Sequence, residues 1–211
     1  MVGIIDYRAG NLTSVDRALK YLSIPSVITG NLETLENCER IIFPGVGAAG
    51  QAMADLKNSG LDKLLIDLVK RGVPLLGICL GTQVIMDFSE ENNTTCLGLI
   101  PGVVKRFPPD LSTGNRRLKV PHMGWNRVKF NRPHPVFQGL PEEAEYYFVH
   151  SFFPIPQDKD SCLAYTDYGI TFCSVVAWKN IVAVQFHPEK SGRLGLKILE
   201  NFCTWSGKDA E

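Results

Sequence analysis

Apolar and polar positions follow two alternating patterns over roughly the first ninety residues. Short, almost wholly apolar runs at 2–6, 26–29, 40–43 and 73–78 read as strands buried on both faces of a sheet. Between them the period changes. After Asn11, the apolar positions Val15, Ala18, Leu19 and Leu22 fall at helical spacing, and Leu61, Leu64, Leu65, Leu68 and Val69 mark a second amphipathic helix. Strand and helix in alternation predict βαβ units, hence a parallel sheet with helices on both faces.

From about Leu97 the texture shifts to shorter β-like runs, punctuated by prolines at 101, 108, 109, 121, 133, 135 and 141. Residues 146–149, 161–166, 171–178 and 181–186 read as strands of a mixed or antiparallel region added to the same sheet. Residues 192–205 close the chain as a helix with Leu196, Leu199 and Phe202 inward. No repeat, low-complexity tract or flexible linker interrupts the pattern. The expected fold is therefore α/β: an open, mostly parallel sheet flanked by helices, with antiparallel strands in the C-terminal half, in one domain over 1–211.

Charge narrows the function classes. Lys+Arg and Asp+Glu are both 22, so no net field recruits nucleic acid or an anionic membrane. The local patch Arg116, Arg117 and Lys119 reads as a solvated loop. Met1 leads directly into an apolar strand, without the basic and apolar segments of a signal peptide, and no apolar run approaches the ~20 residues of a membrane span. A cytoplasmic location is expected. Six cysteines at 38, 79, 96, 162, 173 and 203 form no C-x-x-C pair and have no histidine at zinc spacing, so thiols are expected and no metal site.

One cysteine stands apart. Gly77 and Gly81 bracket Cys79 where the 73–78 strand must turn abruptly into a helix, the arrangement of a nucleophile elbow. A cysteine there meets unpaired N–H groups that favour thiolate over thiol, and the N–H of Leu80 can face an oxyanion. A buried packing cysteine is the plain alternative, so the chain must also supply a base.

Two further stretches bear on that question. Gly45, Gly47 and Gly50 match G-x-G-x-x-G after a strand, which suits a dinucleotide-binding oxidoreductase. Against that, the loop follows the third strand rather than the first, and the next strand ends in Ile78-Cys79 without a carboxylate for the ribose. The same glycines could instead turn backbone N–H groups of Gly45, Val46 and Gly47, in the segment that Pro44 opens, toward Cys79 as part of an oxyanion hole. At the end of the 181–186 strand, Pro188 holds His187 extended and Glu189 falls on the same side, as base and orienting carboxylate. Cysteine, histidine and carboxylate are the parts of covalent acyl chemistry. His122, His134 and His150 lack a carboxylate nearby in sequence.

These residues carry a resemblance. The stretch from Gly77 to Gln83 is similar to the nucleophile motif of class I (triad) glutamine amidotransferases, and Phe186-His187-Pro188-Glu189 to their His-Pro-Glu motif. Asp6-Tyr7 with Gly10-Asn11-Leu12, the 43–47 segment, the 121–126 segment, the 147–151 segment and residues 185–191 resemble the branch that serves histidine biosynthesis. The likeness covers essentially the whole chain and implies a flavodoxin-like sheet. It implies that Cys79 attacks the glutamine side-chain amide, with His187 held by Glu189, and that Leu80 with Gly45, Val46 and Gly47 forms the oxyanion hole. It further implies that Gln83, Glu91, Ser151 and Phe152 bind the glutamine α-amino and α-carboxylate end, with no metal or organic cofactor. The implied partner is a (β/α)8-barrel cyclase that receives the ammonia in a heterodimer, with Asn11, Trp125, Tyr147 and Lys190 near the contact. Arg8, Thr82 and Val182-Ala183 depart from the branch's usual residues, which leaves open a paralogue feeding an amidino-sugar pathway of surface polysaccharide.

Overall fold

The computed structural model describes residues 1–8, 10–114 and 116–208. Its first half alternates as the pattern predicts: β1 (Val2–Ile5), α1 (Leu12–Tyr21), β2 (Ser26–Thr29), α2 (Leu32–Glu36), β3 (Arg40–Gly45), α3 (Ala49–Ser59), α4 (Leu61–Lys70), β4 (Leu75–Cys79) and α5 (Leu80–Val84). Strands then dominate. They are β5 (Phe88–Ser89), β6 (Thr94–Thr95), β7 (Gly102–Arg106), β8 (Ser112–Thr113), β9 (Arg116–Arg117), β10 (His122–Phe130) and β11 (Glu143–His150). After them come β12 (Phe152–Pro156), β13 (Cys162–Asp167), β14 (Thr171–Trp178) and β15 (Ile181–Val184), before α6 (Gly192–Thr204).

Nine strands form one sheet in the order β2-β1-β3-β4-β15-β14-β13-β10-β11. It is parallel from β2 to β15 and antiparallel from β15 to β11. The parallel part has the 2-1-3-4-5 order of flavodoxin-like sheets, in which sites form beyond the carboxyl ends of the strands. β4 lies between β3 and β15, with Cys79 level with Gly45 on one side and Ile78 level with Val184 on the other. The segments that follow three neighbouring strands therefore converge at the end of β4.

Both faces of the parallel part are covered, so β4 is buried at all five positions. One face packs Ile42, Leu76 and Ile78 against Val15 and Leu19 of α1 and Ile198, Leu199 and Phe202 of α6. The other packs Ile41, Phe43 and Leu75 against Met53 and Leu56 of α3 and Leu61, Leu65 and Leu68 of α4. Each such side chain contributes roughly 1.5–3 kcal/mol of burial, which fixes the elbow on a rigid base.

The sequence reading did not mark α2, α3 or β10, and two further features differ from it. Cys162 and Cys173 are bonded as a disulfide where thiols were expected, because the β13–β14 hairpin brings sulfurs eleven residues apart onto neighbouring strands. A second sheet, in the order β12-β7-β5-β6, packs beside the first. Two of its strands are only two residues long, too short to show a period. Arg116 and Arg117 are exposed on β9. Among the described residues, no helix is long and apolar enough to cross a membrane.

Candidate active site

Cys79 ends β4 with φ 54° and ψ −104°, a conformation that non-glycine residues rarely adopt. The glycines beside it are required by contact. A Cβ at Gly81 would collide with the Phe43 carbonyl oxygen, and one at Gly77 would lie 3.0 Å from Ala183 Cβ. Thr82 ties α5 to β15 by donating to Val184 O at 2.6 Å, so its hydroxyl is part of the elbow's support. The Cys79 sulfur lies 3.7 Å from Val149 O and 3.7 Å from Gln185 Nε2.

Beyond β15, the His187 N–H donates to Tyr147 O at 2.8 Å, which anchors the turn to β11. The sequence reading kept 187–189 extended. Instead His187 is extended, at φ −103° and ψ 95°, and residues Pro188–Lys190 form a 3-10 turn. The turn still sets His187 Nδ1 2.8 Å from Glu189 Oε1, with both side chains essentially unexposed. Acceptance by the carboxylate places a proton on Nδ1 and leaves Nε2 as the nitrogen that faces the chemistry. Nε2 is buried without a hydrogen-bond partner among the described residues. Burial works against a charged imidazole here, but the interactions with Cys79 and Glu189 outweigh it and push His187 up to about 10.

Asn11 completes this end of the site. It begins α1 in a left-handed conformation, φ 75°, and its side chain does not cap the helix. Its amide donates to Glu189 Oε1 at 2.5 Å. Asn11, read from sequence as a partner-contact residue, thus touches the carboxylate that orients His187. The other three in that set are displayed outward: Trp125 is 55% exposed, Lys190 is exposed, and Tyr147 is half-buried beneath Trp125 with ring centroids 6.2 Å apart.

A cavity of about 310 Å³ opens at Cys79. Val46, Gly47, Leu80, Gln83, Glu91, Ser151 and Phe152 line it. Gly45 lies behind, level with Cys79 in the β3–β4 register. Glu91 Oε2 accepts the Ala49 N–H at 2.7 Å, fixing a carboxylate at the start of α3, where the helix dipole favours it. Gln83 Nε2 donates to Phe152 O at 3.0 Å, which locks the two linings together. A larger cavity of about 700 Å³, around residues 130–142, contains none of these groups. Chemistry, not size, identifies the site.

Pro121, Val149 and His150 also line the smaller cavity and were not read from sequence. His150 Nδ1 lies 2.8 Å from Phe152 O, and its Nε2 lies 2.9 Å from His122 Nδ1. His122 Nε2 in turn meets Asn126 Nδ2 at 3.1 Å. The carbonyl can only accept and the amide can only donate, so each ring carries its proton on Nδ1. Burial pushes His150 down to about 3 and His122 down to about 4, keeping the chain neutral. The pair is made by register on adjacent antiparallel strands, His122 opposite His150, although both residues lie in segments that carried the family resemblance. Among the described residues, no cluster of three or more His, Cys, Asp or Glu is placed to hold a metal ion.

Comparison with known proteins bears on this geometry. The family model described as "Glutamine amidotransferase class-I" matches residues 3–205. A protein of Nitratidesulfovibrio vulgaris (strain DP4) named "Imidazole glycerol phosphate synthase subunit HisH" is 50% identical over 208 residues, 97% of each chain. One of the same name from Maridesulfovibrio salexigens is 51% identical over 203 residues, 96% of this chain and 95% of its own. In fold, the chain resembles a solved structure described as PurLQS from Thermotoga maritima, with TM-score 0.75 at 16% identity, covering 96% of this chain and 97% of that one. None of these lends support to a dinucleotide-binding oxidoreductase.

Proposed function

The chain belongs to the class-I glutamine amidotransferases, and from that premise we propose that it is the glutaminase subunit of an imidazole glycerol phosphate synthase. One glutaminase domain over 1–211 hydrolyses L-glutamine to glutamate and ammonia. The ammonia passes to a (β/α)8-barrel cyclase, which makes imidazole glycerol phosphate and an aminoimidazole carboxamide nucleotide for histidine biosynthesis. A cytoplasmic location accompanies this reading.

The observation that carries it is the interaction of the Glu189-bound His187 with Cys79, the residue that lines the cavity. The Cys79 sulfur attacks the side-chain amide carbon while His187 Nε2 holds the proton that the sulfur has given up. The carbonyl oxygen becomes an oxyanion, met by the Leu80 N–H and the backbone of Gly45, Val46 and Gly47. His187 gives the proton to the departing nitrogen, releasing ammonia and leaving a glutamyl thioester. Water, deprotonated by His187, then attacks the thioester and restores Cys79. Glu189 and Asn11 hold the imidazole in one orientation throughout. Gln83, Glu91, Ser151 and Phe152 hold the amino-acid end of glutamine, with the Glu91 carboxylate facing its ammonium. No step requires a metal or organic cofactor.

The partner docks on the outward-facing Trp125, Tyr147 and Lys190, next to the turn that carries His187. The exposed Met123 and Trp125 side chains of β10 supply apolar surface there, which suits protein contact. The test is glutamate release by the purified chain with its organism's barrel cyclase, with and without the nucleotide substrate. Ligand-stimulated release is expected. No release with the cyclase under any ligand condition overturns the assignment.

A further inference from the structure

Tyr7 follows β1 and lies beneath the loop that leaves β3. Its side chain is 3% exposed, its ring meets Phe43 edge-on at 5.3 Å, and its hydroxyl has no hydrogen-bond partner among the described residues. The hydroxyl fills the space that a side chain at Gly45 would take. A Cβ there would collide with it and would lie 3.1 Å from Leu80 Cβ. Phe43 and Gly45 face the same side of β3, so Tyr7 touches the backbone of Gly45 from the α3–α4 side. That contact sits between the two segments assigned to the oxyanion, Gly45 to Gly47 and Leu80. Burial first, then the neighbouring Cys79 and Asp55, raise the phenol far above its ordinary range, so the hydroxyl keeps its proton as a donor.

An unpaired buried donor is unfavourable, and phenylalanine would fill the same space without it. Within one trans peptide the N–H and C=O point in opposite directions. A peptide of the 44–47 segment that turns its N–H toward Cys79 therefore turns its carbonyl toward the underside, where the Tyr7 hydroxyl is. Gly47, at φ 103° with open space where a side chain would be, leaves the end of the segment free to turn.

We propose that Tyr7 is a positioning residue for the oxyanion. In the glutamine-bound state its hydroxyl donates to a backbone carbonyl of the 44–47 segment and holds that peptide's N–H toward Cys79. The inference rests on the glutaminase reading above, so glutamine turnover by the unmodified complex is measured first, and its absence counts against that reading alone.

Tyr7→Phe in the complex with the barrel cyclase is the test. We expect kcat for glutamate release to fall tenfold or more, glutamine KM to stay within twofold, and Tm to be unchanged or higher. Alkylation of Cys79 by iodoacetamide forms no oxyanion, so its rate should not change. A kcat within twofold of the unmodified complex overturns the proposal. So does a fall in kcat accompanied by a lower Tm or slower alkylation, which marks a general loss of structure. Gly45→Ala checks the contact itself: its Tm loss should shrink in the Tyr7→Phe background, and an equal loss in both backgrounds overturns the proposal.

Discussion

Asn11 donates its side-chain amide to Glu189 Oε1 at 2.5 Å across 178 positions of sequence, at the same oxygen that accepts from His187. The start of α1 is thereby tied to the orientation of the base. Hydrogen bonds to buried charged groups are worth roughly 1.5–3 kcal/mol, about a 10- to 150-fold change in rate if all of it is expressed in the transition state. Asn11→Leu should accordingly lower kcat for glutamate release by at least tenfold with glutamine KM little changed. Asn11→Asp should be worse, because it sets a second carboxylate against Glu189. Steady-state kinetics of both variants with the cyclase present check this, and equal kcat in all three proteins would remove Asn11 from the site.

The backbone of Cys79 stores strain that a structural cysteine would not need. A non-glycine residue so placed costs about 1–3 kcal/mol, more than the roughly 0.5–1 kcal/mol of extra chain entropy that glycine loses on folding. Cys79→Gly should therefore melt above Cys79→Ala, at about 2–4 °C per kcal/mol for a chain of this size. Both variants should release no glutamate. Calorimetry of the pair checks it, and the reverse order of melting would mean that the elbow is relaxed.

How much of this was legible depends on how locally each signal is written. β4 and α4 carry an unbroken apolar run and an i, i+3, i+4 stripe, so both are readable from adjacent residues. Cys79 between its glycines and His187 two residues from Glu189 are equally local. β10 is not, because Met123 and Trp125 are apolar yet 62% and 55% exposed, which destroys the alternation that marks a half-buried strand. Asn11 on Glu189, His122 on His150 and Tyr7 against Gly45 are pairings made by sheet register, which no short window of sequence contains. The Cys162–Cys173 bond belongs with them, since an irregular register in the β13–β14 hairpin sets the two residues together.

Glu91 already accepts one backbone N–H at the start of α3, and it lines the cavity where the proposed reading puts the glutamine ammonium. Glu91→Gln keeps the shape and removes the charge. Loss of a charge-assisted contact made equally in ground and transition states should raise glutamine KM by tenfold or more with kcat nearly constant. The variant should also lose about 0.3–1 kcal/mol of stability at the helix terminus. Glutamine titrations of the complex distinguish this from a catalytic role, in which kcat would fall instead.

The buried pair His122–His150 should dominate stability between about pH 6.5 and 5, above the range where most carboxylates titrate. In the folded chain burial holds the two down to about 4 and about 3, while the unfolded chain titrates near the ordinary histidine value. As pH falls below about 6.5 the unfolded state therefore takes up protons that the folded state refuses, and stability is lost. The limiting slope is about 1.4 kcal/mol per pH unit for each histidine. His187 has the opposite sign, since its raised value leaves it protonated in both states over this window; its contribution is complete below about 6.5 and is lost only as pH rises toward about 10. His122→Gln should remove one histidine's share and flatten the acid slope, while His187→Gln should leave that slope unchanged. Urea midpoints of the two variants from pH 7 to 5 read the difference directly. An unchanged slope in His122→Gln would mean that the folded protein accepts a proton at this pair after all, and that the chain from Phe152 through His150 to Asn126 is not held neutral.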